Sequence, residues 1–269
     1  MKDIIIADPA GNVTAFVMCG ENDFDAEERT AISKKILAEE SFCGKKIEQV
    51  GFIKKNRNGI WHLEMMGGEF CGNAARSAGL ICAKKDSSGG VLGSEIEVPI
   101  KITVSGASGL VSVDLDTENN FAEVEIPPPL EYGSIKEGSI NADHLPFCIF
   151  EGISHIIAHD VPPLEAYFYK IKKEYEAQKK RPSALGVMFF DTATQIMKPA
   201  VYVYSTESLV FESSCASGSA AFACLAFKDA ESCDALLPIN SSGGTINVRI
   251  KKTKGKIEHL SIGGIVNYC

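Results

Sequence analysis

The sequence predicts a mixed α/β (α+β) protein of two pseudo-symmetric halves, each a sheet wrapped around a central helix. Three observations carry that expectation. Short β-runs with alternating apolar residues recur along the chain. Two segments rich in small residues, CGNAARSAGLICAKK from Cys71 and CASGSAAFACLAFKDA from Cys215, each follow a β-run and each open a helix at a cysteine. The second is apolar nearly all round from Ala220 to Phe227, the pattern of an enclosed helix and not of one lying on a surface.

The first half opens with a strand near residues 3–7, a turn at 9–12 and a second strand, TAFVMC. A helix over residues 25–40 follows, with Asp25 as its N-cap and a charged outer face. Next come the β-runs EQVGFIKK (48–55) and IWHLEMM (60–66), joined by the turn-like NRNG, and then GGEF and the helix that starts at Cys71. Strands EIEVPIKITVS, GLVSVDLD and FAEVEIP complete the half. The second half repeats the order: strands PFCIF and HIIAH, a charged helix over 163–180, strands GVMFF, AVYVYS and SLVFE, the helix from Cys215, and strands TINVRIKK and KIEHLSIG. The expected domains are 1–127 and 145–261, with 128–144 as a linker marked by its prolines and turn residues, and a C-terminal strand at 262–269 returning to the first domain.

With 269 residues, 45% of them apolar and 23% charged, the chain suits a globular protein with substantial cores. The formal charge of −8 disfavours general affinity for nucleic acid or anionic membrane, which both require clustered Lys and Arg. A small-molecule partner is expected, with a homodimer left open. Asp3 and Asp8 bracket an apolar run too short for a signal-peptide core, and no apolar stretch reaches the roughly 18 residues of a membrane span. Nine cysteines, an odd number without the spacing of a small secreted scaffold, fit a reducing compartment, so a cytoplasmic protein is expected. CxxC and HExxH are absent, so no metal site is expected.

The two cysteines carry the chemistry. Moving an α-proton from one face of an amino acid to the other needs a base on one side and an acid on the other, and a duplicated motif supplies two like groups. A thiol at a helix N-terminus is placed where backbone N–H groups and the helix dipole lower its pKa below about 8.5. The N–H groups of Gly72 and Asn73, and of Ala216 and Ser217, can bind a substrate carboxylate. Gly67, Gly68 and Gly218 would let backbone approach a ligand closely. Taken singly, each cysteine reads as a core residue; matched placement at two duplicated helix starts reverses that reading. Cys82 and Cys224 remain core residues.

PAGN (9–12), FCGNAAR (70–76) and SCASGSA (214–220) are similar to the paired motifs of the diaminopimelate epimerase family. The resemblance runs the length of the chain. It implies a diaminopimelate epimerase-like fold, an active site in the cleft between two similar halves, Cys71 and Cys215 as the catalytic pair, and no cofactor. The chain departs from the diaminopimelate enzymes in running from SLVFE directly into SSC, without the arginine that holds the distal carboxylate, and in having GISH (152–155) where they have Gly-Asn-Pro-His. A further asparagine is replaced around residues 184–187.

The departures resemble the histidine racemase branch of staphylopine-type metallophore pathways, on EQVGFI (48–53), HLEMMGGEFCGN and LVFESSC (209–215). That resemblance implies that Asn12, Glu48, His62 and Glu212 line the substrate pocket and that His155 supports the catalytic pair. A carboxylate at Glu48 can accept from an imidazole N–H, and Glu212 suits the substrate ammonium. Ala216 stands where most relatives have glycine, which costs strain only if its φ is positive. The expected function is therefore a cofactor-independent amino-acid racemase, an isomerase with histidine as substrate. Diaminopimelate epimerisation, proline or hydroxyproline-type epimerisation, and amino-acid binding without turnover on the same fold are the alternatives.

Overall fold

The computed structural model describes residues 3–20, 24–38, 44–87, 99–136, 138, 144–204 and 207–268. The chain divides into two compact units, one of Met1–Glu125 with Gly263–Cys269 and one of Ile126–Ile262. The first contains strands β1 (Ile4–Asp8) and β2 (Thr14–Met18), helix α1 (Ala26–Leu37), strands β3 (Gln49–Lys55) and β4 (Trp61–Met65), helix α2 (Gly72–Ser87), and strands β5 (Ile100–Val104), β6 (Leu110–Asp116) and β7 (Phe121–Glu125). Helix α1 starts at a complete capping box: Asp25 accepts from the Glu28 amide at 2.9 Å and Glu28 accepts from the Asp25 amide at 3.1 Å. Its apolar side, Ile32, Ile36 and Leu37, packs on Val50 and Phe52 of β3.

Pairing in this unit is antiparallel for β1–β2, parallel for β2–β3, antiparallel for β3–β4, parallel for β4–β5, and antiparallel for β5–β6 and β6–β7. Each parallel step is made possible by a helix crossover or a long connection. Helix α2 packs against β4, β5, β6 and β7, and every residue from Gly72 to Ala83 is buried. Small side chains let the sheet come this close. A Cβ on Gly79 would sit 2.8 Å from Val113 Cγ1.

The second unit contains β8 (Glu131–Lys136), β9 (His144–Ile149), β10 (Ile153–His159), α3 (Glu165–Gln178), β11 (Ala184–Asp191), β12 (Ile196–Val203), β13 (Ser208–Phe211), α4 (Ala216–Ala226), β14 (Cys233–Ser241), β15 (Gly244–Thr253) and β16 (Lys256–Ile265). Here β9–β10 is antiparallel, β10–β11 parallel, β11–β12 antiparallel, β12–β14 parallel and β14–β15 antiparallel. This is the same succession as β1 to β6, with α3 placed as α1 and α4 as α2. The duplication read from the two cysteine helices is thus repeated in strand pairing. From Gly263 the end of β16 belongs to the first unit, where strand β17 (Asn267–Tyr268) pairs with β1.

Three expectations are corrected. The stretch 128–144 is not a linker throughout, because after its prolines Glu131–Lys136 form β8, antiparallel to β9, with Ile135 buried and Gly133 leaving room for the Phe147 ring. Strand β14 was not expected at all. Pro238 in its middle argues against a strand, but it is tolerated because β14 pairs with β12 only at Asn240 and Ser241 and is an edge on that side elsewhere. Gly218 is a packing residue, since a Cβ there would fall on the buried side chain of Met188. Of the expected strand 95–105, residues 95–98 lie outside the described residues.

Close approach of α2 to β6 sets a stability test. Gly79→Ala should lower the unfolding free energy by about 1–3 kcal/mol through overpacking, measured by urea denaturation. Val113→Ala in the same chain should recover part of that loss. Additive losses in the double variant would show that the two residues do not compete for the same space.

Candidate active site

Cys71 closes the segment after β4 and caps α2: its carbonyl accepts from the Ala75 amide at 2.8 Å and its Sγ accepts from the Ala74 amide at 3.5 Å. The sulfur therefore sits on the unpaired N–H groups of a helix start, which favours the thiolate. Two amides face it. The thiol donates to Gln49 Oε1 at 3.2 Å, and Asn12 Oδ1 lies 3.9 Å away. Asn12 is held in that orientation because its Nδ2 donates to Glu48 Oε2 at 3.0 Å. Asn12 is buried and follows the turn at Ala10 and Gly11, both with positive φ, whose Gly11 amide donates to Asp8. Asn73, also buried, accepts from Arg76 Nε at 3.3 Å.

The structure thus gathers Asn12, Glu48, Gly72 and Asn73 around Cys71, together with Gln49, which sequence reasoning missed. Gln49 adjoins Glu48, and its period-2 position on β3, on the face of Gly51 and Ile53, was the available signal. His62 is a correction. It pairs with Lys54, on the opposite face of the sheet, where its neighbour Glu64 approaches Arg29 of α1 at 3.8 Å. There Nδ1 meets Thr103 Oγ1 at 2.9 Å and Nε2 meets Glu64 Oε2 at 3.1 Å. Strand alternation takes it away from Cys71, so it is not brought to this group.

In the second unit Cys215 is the N-cap of α4, with its carbonyl accepting from the Ser219 amide at 2.9 Å and no side-chain cap bond. Ala216 opens the helix without positive φ, so alanine there carries no strain. Cys215 Sγ lies 3.7 Å from Ser217 Oγ, which in turn lies 2.8 Å from His155 Nε2. His155 is fully buried, edge-on to Phe150, with Nδ1 against Gly186, where a Cβ would be 2.3 Å from it. Burial drives its pKa down to about 3, so the ring is neutral at physiological pH. Nδ1 has no hydrogen-bond partner among the described residues. Placing the one ring proton on Nε2 leaves Nδ1 as a bare lone pair, and lets Nε2–H donate to Ser217 and the Ser217 hydroxyl donate to Cys215 Sγ. Glu212 borders an open depression of about 260 Å³ that Lys198, Phe211 and Ser213 also line.

Among the described residues no group of three or more His, Cys, Asp or Glu is arranged to hold a metal ion, and no helix is long and apolar enough to cross a membrane. Residues 3–269 match the family model described as the histidine racemase CntK N-terminal domain. A histidine racemase from Fusobacterium nucleatum is 38% identical over 228 residues, covering 81% of this chain and 79% of that protein. The chain belongs to the histidine racemase family. A histidine racemase from Staphylococcus aureus is 29% identical over 269 residues, covering 96% and 92% of the two chains. Among solved structures, a phenazine biosynthesis PhzF-family protein from Enterococcus faecalis matches with a TM-score of 0.61 at 12% identity over 98% of this chain and 95% of that one. A hydroxyproline epimerase from Agrobacterium vitis matches with a TM-score of 0.61 at 11% identity over 99% and 90%. These structures show that this histidine racemase family member has the mixed α/β fold of the PhzF and hydroxyproline epimerase type, which is broader than the diaminopimelate epimerase-like form expected.

In this histidine racemase relative, the buried neutral imidazole of His155 couples folding to pH. Its folded pKa of about 3 lies below the unfolded value of about 6.5, so protons bind the unfolded chain preferentially. The stabilisation is complete above about pH 6.5 and is lost as pH falls toward 3. By pH 4.5 the loss should be about 2–3 kcal/mol. Thermal melts of the wild type should therefore fall more steeply from pH 7 to 4.5 than those of His155→Gln, and parallel curves would show that His155 is protonated in the native state.

Proposed function

We propose that this protein interconverts L- and D-histidine without a cofactor, with Cys71 and Cys215 exchanging the roles of thiolate base and thiol acid at one α-carbon. The observation that carries the reading is the repeat itself: in each unit the same position, the N-cap of an enclosed small-residue helix, holds a cysteine whose sulfur has polar partners. In one direction the Cys71 thiolate takes the α-hydrogen as a proton and the Cys215 thiol delivers its own proton to the opposite face. The other direction reverses these roles, and each turnover leaves the enzyme in the alternate protonation state.

The α-carbon becomes electron-rich as the proton leaves, so the substrate carboxylate must be held by donors that strengthen in the transition state. The N–H groups of Gly72, Asn73, Ala216 and Ser217 at the two helix starts are suited to this. Glu212 provides a carboxylate for the substrate ammonium. Glu48, tied through Asn12 to the Cys71 side, provides one for the imidazole N–H. His155 is too weak a base at neutral pH to take the Cys215 proton; it orients Ser217, whose hydroxyl supports the sulfur in either protonation state. We read the fold as the diaminopimelate epimerase-like variant, with loss of the distal-carboxylate arginine narrowing the substrate to a single-centre amino acid. Reduced thiols suit a cytoplasmic enzyme.

L- and D-histidine should be racemised at least tenfold faster than diaminopimelate is epimerised, with no added pyridoxal phosphate and after treatment with a chelator. Comparable rates on the two substrates would overturn the specificity, and loss of turnover on dialysis restored by pyridoxal phosphate would overturn the mechanism.

Cys71→Ser and Cys215→Ser should each reduce racemisation by orders of magnitude, because a hydroxyl is a far weaker acid than a thiol. In D₂O each variant should wash deuterium into one enantiomer faster than into the other, with the preference reversed between the two. Wild-type racemisation in both serine variants would sink the two-thiol reading.

A further inference from the structure

We propose that Arg76 is a positioning residue for the reaction, a buried cation that holds Cys71 as a thiolate without touching substrate. The inference rests on the reading of Cys71 as a base, and it concerns a residue to which the proposed function gives no role.

Arg76 is the largest fully buried side chain among the described residues, at 0% exposure. Side chains on a helix lean toward its N-terminus, and this one reaches back over the first turn of α2. Nε donates to Asn73 Oδ1 one turn earlier, Nη1 donates to the Gly264 carbonyl at 2.8 Å, and Nη2 is buried with no hydrogen-bond partner among the described residues. The guanidinium therefore lies beneath the helix start that Cys71 caps. A buried cation with an unused donor requires a nearby anion. Burial lowers the Arg76 pKa to about 10, and attraction to Cys71 and to Asp8 opposes that fall, so the group stays charged at neutral pH.

The other charges around Cys71 do not supply what Arg76 supplies. Asp8 is ion-paired with Lys45 and also accepts the Gly11 amide, so its charge is already shared. Glu48 approaches through Asn12 and, like Asp8, disfavours a second negative charge. The first turn of α2 has no acidic residue. Two carboxylates, and the Gln49 and Asn12 carbonyl oxygens that accept from the S–H, thus oppose the thiolate, while the helix N-terminus, Lys45 and Arg76 favour it. Of these, Arg76 is the buried cation, where solvent and salt screen least. Opposite charges stabilise each other reciprocally, so the same attraction that keeps Arg76 protonated lowers the Cys71 pKa.

The test is the rate of iodoacetamide alkylation of each cysteine in the full-length protein, resolved by peptide mass spectrometry from pH 5 to 10. The wild-type Cys71 midpoint should lie at least about one pH unit below the ordinary thiol value of about 8.5. Arg76→Met should raise it by about a unit, cutting Cys71 alkylation at pH 7 roughly tenfold, while Arg76→Lys recovers most of the rate and the Cys215 midpoint does not move. A purely structural arginine would leave the Cys71 midpoint in place. If Arg76→Met does not fold, Arg76→Gln takes its place, and a wild-type Cys71 midpoint at or above the ordinary value overturns the proposal without any variant. An unchanged midpoint in a folded Arg76→Met overturns it as well. Alkylation is read without turnover: racemisation by Cys71→Ser would reject the two-thiol reaction alone, whereas an inactive Cys71→Ser with an ordinary Cys71 midpoint would reject only the role of Arg76.

Discussion

Enclosing a helix within a sheet is the constraint from which the rest of each unit follows. A helix buried over nearly all its surface cannot carry long polar side chains, and it must let strands come near its backbone. Alanine, glycine and serine fill α2 and α4 for this reason, and Gly79 and Gly218 stand where a single methyl would meet Val113 or Met188. Such a helix also has a start whose N–H groups lack intrahelical partners. The residue at that start meets a local positive potential in a poorly solvated setting, the condition under which a thiol becomes a useful acid or base. Architecture and reactivity therefore share one cause.

The duplication repeats the geometry but not the hydrogen-bond partners. Cys71 is surrounded by ionisable groups and amides, with Arg76, Asp8, Asn12, Gln49 and Glu48 all engaged in its neighbourhood. Cys215 is served by a neutral chain through Ser217 to an imidazole that burial prevents from charging. In the proposed reaction only the mixed state of one thiolate and one thiol is competent, and repulsion between two thiolates already favours it for a coupled pair. Under the proposals above, a cation on the Cys71 side and a neutral Ser217–His155 chain beside Cys215 bias which sulfur is the resting thiolate.

Much of this was legible in the sequence because period and caps are local. Asp25 announced the start of α1, the alternating runs announced most strands, and the apolar circumference of α4 announced its burial. The misses have physical causes. Pro238 hid β14 because a proline is excluded only where its missing N–H is needed, and which edge of a strand is paired is a tertiary fact. His62 pairs with Lys54, and because adjacent positions on a strand point to opposite faces it lies on the other face from Gln49. Gln49 was overlooked although its period-2 position on β3 was a signal, and Arg76 because nothing in its spacing shows that its side chain reaches back to Asn73.

Some of the places where the structure tolerates poor local energetics adjoin the proposed chemistry. Ala10 takes a left-handed conformation that glycine would adopt with less strain, at the turn that delivers Asn12. His155 keeps a ring nitrogen unpaired, and Arg76 keeps one guanidinium nitrogen unpaired, both in full burial. A sequence selected for stability alone would replace the histidine and the arginine by apolar residues of similar volume. Each of these residues instead lies one contact or one helical turn from a sulfur or from a residue that touches one. Under the proposal, the cost in folding free energy at His155 and Arg76 falls beside the two thiols, and the enclosed helices and close-packed sheets around them supply the stability that makes it tolerable.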